Sequence, residues 1–265
     1  MFVRAITPAA LACALMLPFG TAAAQQFRYA PGASHYHMTV EAKITQTVMG
    51  QTNDAELNSA QKFTLALAQQ APDTLAMTVT IDSITQTTSM GPTPSLAALM
   101  GKHVQALLSP SGEFYSKGVV GDTAAALESV ADQLVHILPR IRKPLAPGAT
   151  WTDTSSLSTV QSGLNVTRQV ISTFIVAGDT TIDGTTAWKI NRNSSSTTSG
   201  SGNLQGQNAS IDGTSTATGE VFLSHDGNFL GGQAEENVKA KVTLTDAGVS
   251  FDIGTTATSK IERMN

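Results

Sequence analysis

The sequence predicts a mainly β protein of the α+β class, a curved antiparallel sheet or open barrel with one principal amphipathic helix. Apolar and polar residues alternate over long stretches, as they do in strands with one buried face. Gly, Pro, Asn and Asp separate these stretches as turn residues. Only residues 122–139 repeat apolar residues at the three- and four-residue spacing of an amphipathic helix. This helix divides the chain into two β halves, about residues 27–120 and about residues 145–265.

Alternation in the first half predicts three long strands. Residues 35–48 carry apolar side chains on one parity and polar side chains on the other. We place a turn at residues 53–54 and further strands through residues 63–67 and 75–81. The alternation slips at residues 83–84, which predicts a β-bulge.

The predicted helix begins at Asp122, a favoured N-cap residue, and Pro139 ends it or kinks it. Its opposite side carries charged and polar residues, so one stripe is expected to pack on the sheet. The apolar stripe consists of Leu127, Val130, Ala131, Leu134 and Leu138.

The second half is again rich in strand signals. Residues 164–176 are apolar on both parities, which predicts a central strand covered on both faces. Asp183 and Gly184 form a hairpin turn signal. Residues 193–219 are almost wholly Ser, Thr, Gly, Asn and Gln, which fits either an exposed pair of polar strands or a mobile loop.

The two halves share one short pattern, L-S-x-x-G-x-F. It occurs at residues 108–114 and again at residues 223–229. Two related β halves would explain the repeat, and so would a common turn chemistry; the sequence leaves both explanations open.

The first 24 residues have the pattern of a secretory signal peptide. Arg4 precedes an apolar stretch, and an A-x-A site allows cleavage after Ala24. A lipoprotein signal acylated at Cys13 is disfavoured, because the apolar run continues beyond that residue. We therefore expect a periplasmic or secreted protein, with residues 25–265 forming a single β-rich domain and no transmembrane segment in the mature chain.

Composition excludes some classes of partner. Cys13 is the only cysteine, so an exported mature chain would have no disulfide and would depend on its own core. The net charge is −4 and aromatic residues make up 5% of the chain, so the basic and aromatic footprint of nucleic-acid binding is missing. We predict no nucleic-acid partner.

His35 and His37 lie two residues apart on a predicted strand and therefore share a face, with Glu41 on the same parity. Such a pair can chelate a metal, but zinc requires three or four ligands and no completing motif is present. The parity is also opposite to the apolar face. We interpret these residues as an exposed polar face and predict no metal site.

Two short patterns contain catalytic residue types. Ser224-His225-Asp226 are consecutive at a predicted hairpin tip, whereas triad members must meet in space in defined roles. Ser59 and Lys62 match S-x-x-K, but they lead into a strand and the partner motifs are missing. We predict a protein that is not an enzyme, with no catalytic residues and no cofactor.

The order of parts resembles a known group of envelope proteins. The segment "GKHVQALLSPSGEF", the acidic-capped helix and the connector "PLAPGATW" follow one another between two β halves. This order is similar to that of uncharacterised secreted bacterial proteins of the LolA/LolB-like lipoprotein-carrier fold group. The resemblance implies a curved antiparallel sheet around helices, whose hollow side holds acyl chains. No ligand-binding residue of that group corresponds position by position.

The functional prediction is an exported periplasmic or cell-envelope binding protein, a carrier for a lipid or another apolar ligand, with a lipid or lipidated protein as partner. The alternative is a non-catalytic structural or interaction protein of the bacterial cell surface. Candidate cavity residues are the inward-facing ones: Met38, Val40, Phe63, Leu65, Met77, Val79 and Leu134.

Overall fold

A computed structural model of the chain describes residues 26–89, 91, 96–119, 137–161, 163–204 and 206–264. These residues form eleven strands: β1 (Gly32–Val48), β2 (Gln51–Ala71), β3 (Thr74–Thr88), β4 (His103–Leu108), β5 (Phe114–Val119), β6 (Thr150–Gln161), β7 (Leu164–Ile182), β8 (Thr185–Leu204), β9 (Gln207–Ser224), β10 (Phe229–Leu244) and β11 (Val249–Met264). All belong to one sheet in the order β5-β4-β3-β2-β1-β11-β10-β9-β8-β7-β6. Each neighbouring pair is antiparallel.

The predicted α+β class is wrong, because the described chain is sheet with a single 3₁₀ turn at Ala97–Leu99 and no α-helix. Residues 122–136 of the predicted helix, including Leu134, lie outside the described residues. The part that is described, Ile137–Pro139, is a bend and coil in which Leu138 is buried. An apolar stripe marks residues that become buried, and a coil that crosses a core requires such residues as much as a helix does. None of the described helical segments is long and apolar enough to cross a membrane.

The first and last strands of the chain lie side by side. β1 pairs with β11 from His35 opposite Met264 to Val48 opposite Phe251. The two sequence halves are therefore joined into one continuous sheet, and β5 and β6 form its two edges.

The sheet is rolled, and the coil at residues 137–149 lies between its two edges. Arg140 forms an ion pair with Glu113, next to the start of β5. Its other terminal nitrogen lies 3.8 Å from the carboxylate of Asp153 on β6. One arginine side chain thus contacts β6 and the residue that precedes β5 at this end of the roll.

A single large core fills one end of the roll. We call the end at which β1 begins the proximal half, and the end at which β1 turns into β2 the distal half. The face that carries the core is the inner face. Tyr36 stacks on Phe63 at 5.3 Å and lies 5.5 Å from the Phe229 ring, and its hydroxyl donates to the Phe229 carbonyl at 2.7 Å. The largest fully buried side chains are Tyr36, Phe63, Leu75, Met77, Val79, Ile81, Leu108, Ile141, Ile190 and Leu223.

Some of the predicted turns and strands are confirmed and others are wrong. Asp183 and Gly184 have φ of 47° and 78° and form the predicted hairpin turn. The predicted bulge is confirmed, because the β2–β3 register shifts between Lys62 and Phe63, opposite residues 81–83. The predicted turn at residues 53–54 is wrong. The chain turns at Met49 and Gly50, with φ of 47° and 80°, where glycine tolerates a left-handed backbone.

Two predictions about the second half are also resolved. Of the two alternatives for residues 193–219, the structure has the polar strands, which are parts of β8 and β9. The prediction that residues 164–176 are covered on both faces is wrong, because Ile171 and Ile175 are 50% and 36% exposed on the outer face of β7. A continuous apolar run does not indicate which of the two faces of a strand is covered by another part of the protein.

Candidate ligand-binding face

The structure brings six of the seven predicted cavity residues together in the proximal core. Phe63, Met77 and Val79 are at most 1% exposed. Val40 is partly buried and packs against this cluster. Leu134 lies outside the described residues. The six residues are Met38, Val40, Phe63, Leu65, Met77 and Val79.

Beyond the core, the inner face changes to small side chains. The register places Arg192 opposite Gly219, Gly219 opposite Ala234, and Ala234 opposite Ser259. Val40 and Ser59 continue the same row on β1 and β2. Among these six inner positions only Arg192 carries a long side chain, and on β7 the register continues to the buried Phe174. We call these six positions the Arg192 row.

Close packing of strands explains the glycine in this row. A Cβ added to Gly219 would overlap with the Gln233 carbonyl oxygen and lie 2.9 Å from the Ala234 Cβ. A larger residue would push β9 away from β10. The close approach of the β10 backbone therefore explains why this position is glycine.

Polar side chains line the inner face next to this row. Ser196 and Ser215 are buried and their hydroxyl oxygens lie 2.8 Å apart. Arg168 donates from Nε to Ser196 and from Nη2 to Ser215, each at 3.0 Å. Arg168 also forms an ion pair with Glu236, which accepts the Ser215 hydroxyl at 2.8 Å. Strands β7, β8, β9 and β10 thus each contribute one member of the network.

Arg192 is held differently from Arg168. Its Nε donates to the Ser194 hydroxyl at 2.9 Å, and Ser194 lies 2.8 Å from the Ser172 hydroxyl. Its Cζ lies 6.0 Å from the centre of the Phe174 ring. Within the described chain, the terminal guanidinium nitrogens form no hydrogen bond and no carboxylate lies within ion-pair distance. We call Arg168, Arg192, Ser172, Ser194, Ser196, Ser215 and Glu236 the arginine–serine cluster.

The electrostatics of the cluster leave Arg192 without a dedicated counter-charge. Burial lowers the pKa of Arg192; the nearby Glu236 carboxylate opposes this shift, and the Arg168 charge adds to it. Glu236 is already bound to Arg168 and Ser215. Two guanidinium groups therefore share one carboxylate.

One buried polar atom lies at the border between the core and the Arg192 row. Gln61 is 5% exposed and lies opposite Met38 on β1. Its Oε1 has no hydrogen-bond partner in the described chain. Buried acceptors are normally paired, so this amide oxygen is available to a donor from outside the described residues.

The histidine pair lies on the outer face. His35 Nδ1 lies 2.8 Å from the Thr64 hydroxyl and 4.0 Å from the Asp82 carboxylate. His37 and Glu41 follow on the same parity of β1. The described residues contain no group of three or more His, Cys, Asp or Glu side chains placed to hold a metal ion.

The catalytic residue types do not form a nucleophile–base pair in the structure. The Ser224 hydroxyl accepts the Asn228 N–H at 2.9 Å inside its hairpin. His225 instead stacks on Trp188 at 4.6 Å and lies 2.9 Å from the Asp179 carboxylate. Ser59 and Lys62 occupy opposite parities of β2, so their side chains point to opposite faces.

Two shallow depressions lie on the outer face, across β8 to β11 and β1. They are lined mainly by exposed Thr, Ser, Asn, Lys, Asp and Glu residues. Glu220 and Lys260 at the second depression form ion pairs on the surface, with Lys189 at 2.7 Å and with Glu262 at 2.6 Å. We therefore place the candidate site on the inner face, at the arginine–serine cluster, and not in these outer depressions.

Sequence reasoning missed the arginine–serine cluster. Arg168 and Arg192 share the buried parity of their strands, which was a visible signal because arginine is seldom placed on a core face unless it is paired. The contact of Arg168 with Glu236, 68 residues away in the chain, depends on strand order.

No protein-family model matches the sequence, and no curated protein matches it. Among solved structures, Neisserial surface protein A has 8% identity and a TM-score of 0.22, covering 88% of this chain and 99% of that chain. Salmonella typhi OmpF, solved with daunomycin, has 9% identity and a TM-score of 0.28, covering 88% and 98%. A putative outer membrane lipoprotein-sorting protein domain from Vibrio parahaemolyticus has 7% identity and a TM-score of 0.17, covering 86% and 83%. These neighbours are envelope proteins, but likeness at such scores carries no functional argument.

Proposed function

We propose that this chain is an exported, non-catalytic binding protein of the bacterial cell envelope that carries a lipid or another apolar ligand on the inner face of its rolled sheet. The predicted signal peptide supports export. The ligand position is the inner face beyond the proximal core, at the Arg192 row.

One observation carries the proposal. The inward-facing positions of the strands carry large buried side chains in the core and small side chains next to it. Gly219, Ala234 and Ser259 occupy adjacent inner positions where the core uses residues such as Phe63. Protein interiors pack to crystal-like density, and we infer that a ligand completes the packing beside these small residues. An apolar chain of a ligand is suited to this position.

The walls around this row favour an apolar occupant. Trp151 and Phe174 stack at 5.1 Å on the neighbouring strands β6 and β7. Val40, the member of the row on β1, packs on the core. Burial of an alkyl chain against such side chains contributes about 25 cal/mol per Å² of apolar surface removed from water.

Native mass spectrometry of the protein, purified from the periplasm without detergent, tests the proposal. Organic extraction and lipid analysis would follow on the same preparation. We expect a co-purifying lipid at near-stoichiometric amount. An apo mass, together with no uptake of added fatty acid or phospholipid, would refute carriage and favour a surface interaction protein.

A matched pair of variants tests whether the ligand binds at the Arg192 row. Ser259→Leu fills the Arg192 row, whereas Thr258→Leu adds the same side chain to the exposed outer face of β11. We expect Ser259→Leu to lose bound lipid and Thr258→Leu to keep it, with both variants retaining the β-sheet circular dichroism spectrum. Equal lipid content in the two folded variants would place the ligand elsewhere.

A further inference from the structure

We infer that the ligand carries a carboxylate head group and that Arg192 binds it, an inference that rests on the proposed function. The ligand class is then a long-chain carboxylic acid, with its chain along the Arg192 row and its charge on the guanidinium group.

Charge balance in the arginine–serine cluster is the first argument. Arg168 uses Nε and Nη2 for Ser196, Ser215 and Glu236. Arg192 has no carboxylate partner within the described chain. A single added negative charge would give each guanidinium its own anion. The charge of the cluster is therefore complementary to a ligand with one negative charge.

The geometry of Arg192 is the second argument. Its Nε is fixed by Ser194, and its Cζ lies 6.0 Å from the centre of the Phe174 ring. The guanidinium is thus oriented while both terminal nitrogens keep their donors. A carboxylate accepts from the two ends of a guanidinium edge in a bidentate pair, which is the geometry arginine favours.

Burial is the third argument. Arg192 is half-buried beside the almost fully buried Phe174, and a charge removed from water without a partner destabilises the fold. The downward shift of its pKa has the same cause. Bound carboxylate would relieve this cost, and the row neighbours Gly219 and Ala234 carry no long side chain that could cover the guanidinium.

Binding of palmitic acid and of hexadecanol to the delipidated full chain separates head-group recognition from chain burial. Both ligands share the apolar chain, and only the acid carries a charge. We expect palmitate to bind about tenfold or more tightly than hexadecanol in titration calorimetry. We expect Arg192→Gln to bring palmitate down to the affinity of hexadecanol, while hexadecanol itself is unchanged.

Lys189→Gln is the matched control, because Lys189 lies on the same strand and forms its ion pair with Glu220 on the outer face. We expect it to bind palmitate as the parent does. Thermal unfolding of each apo variant checks folding, and Arg192→Lys, which keeps the charge but loses the bidentate edge, is expected to bind with intermediate affinity.

The possible failures are distinguishable. If palmitate, hexadecanol and phosphatidic acid all fail to bind to the folded parent, the proposed function itself fails. If both bind equally, or if Arg192→Gln binds palmitate like the parent, carriage stands and the head-group inference is overturned. If phosphatidic acid binds well and palmitate does not, the head group is a phosphate and the carboxylate assignment is wrong.

Discussion

At the scale of single residues, Tyr36 links three strands of the roll. Its ring packs between Phe63 on β2 and Phe229 on β10, and its hydroxyl donates to the Phe229 carbonyl. Burial raises the pKa of this phenol, so the neutral donor form is favoured in the folded state. One side chain therefore satisfies a buried carbonyl and fills the centre of the core.

Tyr36→Phe keeps the ring and removes only the hydroxyl. We expect the free energy of unfolding to fall by about 1–3 kcal/mol, because the Phe229 carbonyl loses a buried donor. Urea unfolding followed by tryptophan fluorescence measures this change. Tyr115→Phe, at a side chain that is 55% exposed, is the control and should change stability by less than about 0.5 kcal/mol. Equal losses in the two variants would contradict a special role for Tyr36.

At the scale of elements, the two L-S-x-x-G-x-F turns close their hairpins with the same hydrogen bonds. The Ser109 hydroxyl accepts the Glu113 N–H at 2.9 Å, as the Ser224 hydroxyl accepts the Asn228 N–H. Both tips also bind the segment before β1, since Tyr29 N–H donates to the Pro110 carbonyl and Ala30 N–H donates to the Gly227 carbonyl. The shared motif thus anchors the start of the first strand between two hairpins.

Gly227→Ala tests this anchor. Gly227 has φ of 89°, and an added Cβ would overlap with the Arg28 carbonyl oxygen and lie 2.9 Å from the Ala30 nitrogen. Gly206→Ala is the control, because Gly206 has φ of 87° and nothing within 4 Å of an added Cβ. Both variants are expected to lose about 1–2 kcal/mol to backbone strain.

Displacement of the anchored segment should cost Gly227→Ala about 1–3 kcal/mol more. Equilibrium unfolding in urea measures both losses. If the two variants lose the same stability, the contact between the hairpin tip and the first segment contributes nothing beyond the turn conformation.

At the scale of the whole molecule, apolar burial is concentrated at one end of a long sheet. The proximal half holds the large cluster around Tyr36 and Phe63, whereas the second cluster, in the distal half, has three buried members, Leu164, Val166 and Ala209. Long strands of 15 to 21 residues, such as β2 and β3, run from one environment into the other. Local stability follows buried apolar contacts, so the two ends should open with different free energies.

Hydrogen exchange measures this difference along single strands. We expect amides in residues 63–67 and 75–81 to exchange more slowly, on the order of tenfold or more, than those in residues 45–54 and 240–252. A bound ligand at the Arg192 row should slow exchange in the neighbouring parts of β8 to β11. Uniform protection along β2 in the ligand-free protein would show that the sheet opens as one unit.

The sequence by itself determined most of the strands, the parity that faces inward and several of the turns. These are local properties: side chains alternate with a period of two, and Gly184 marks a position where the backbone must be left-handed. For the same reason, the inward positions of Met38 and Phe63 were predictable without any knowledge of their neighbours. Local patterns did not distinguish a helix from a buried coil at Leu138, nor a covered face from an open one at Ile171.

Only the tertiary structure decided which strands are neighbours. β1 pairs with β11 from the far end of the chain, and four strands bring Arg168, Ser196, Ser215 and Glu236 together. Pairing between distant segments depends on the whole set of contacts and not on any local period. The free edge of the Arg192 guanidinium is visible only after that pairing has assigned Glu236 to Arg168, and for this reason the candidate site belongs to the fold and not to a motif.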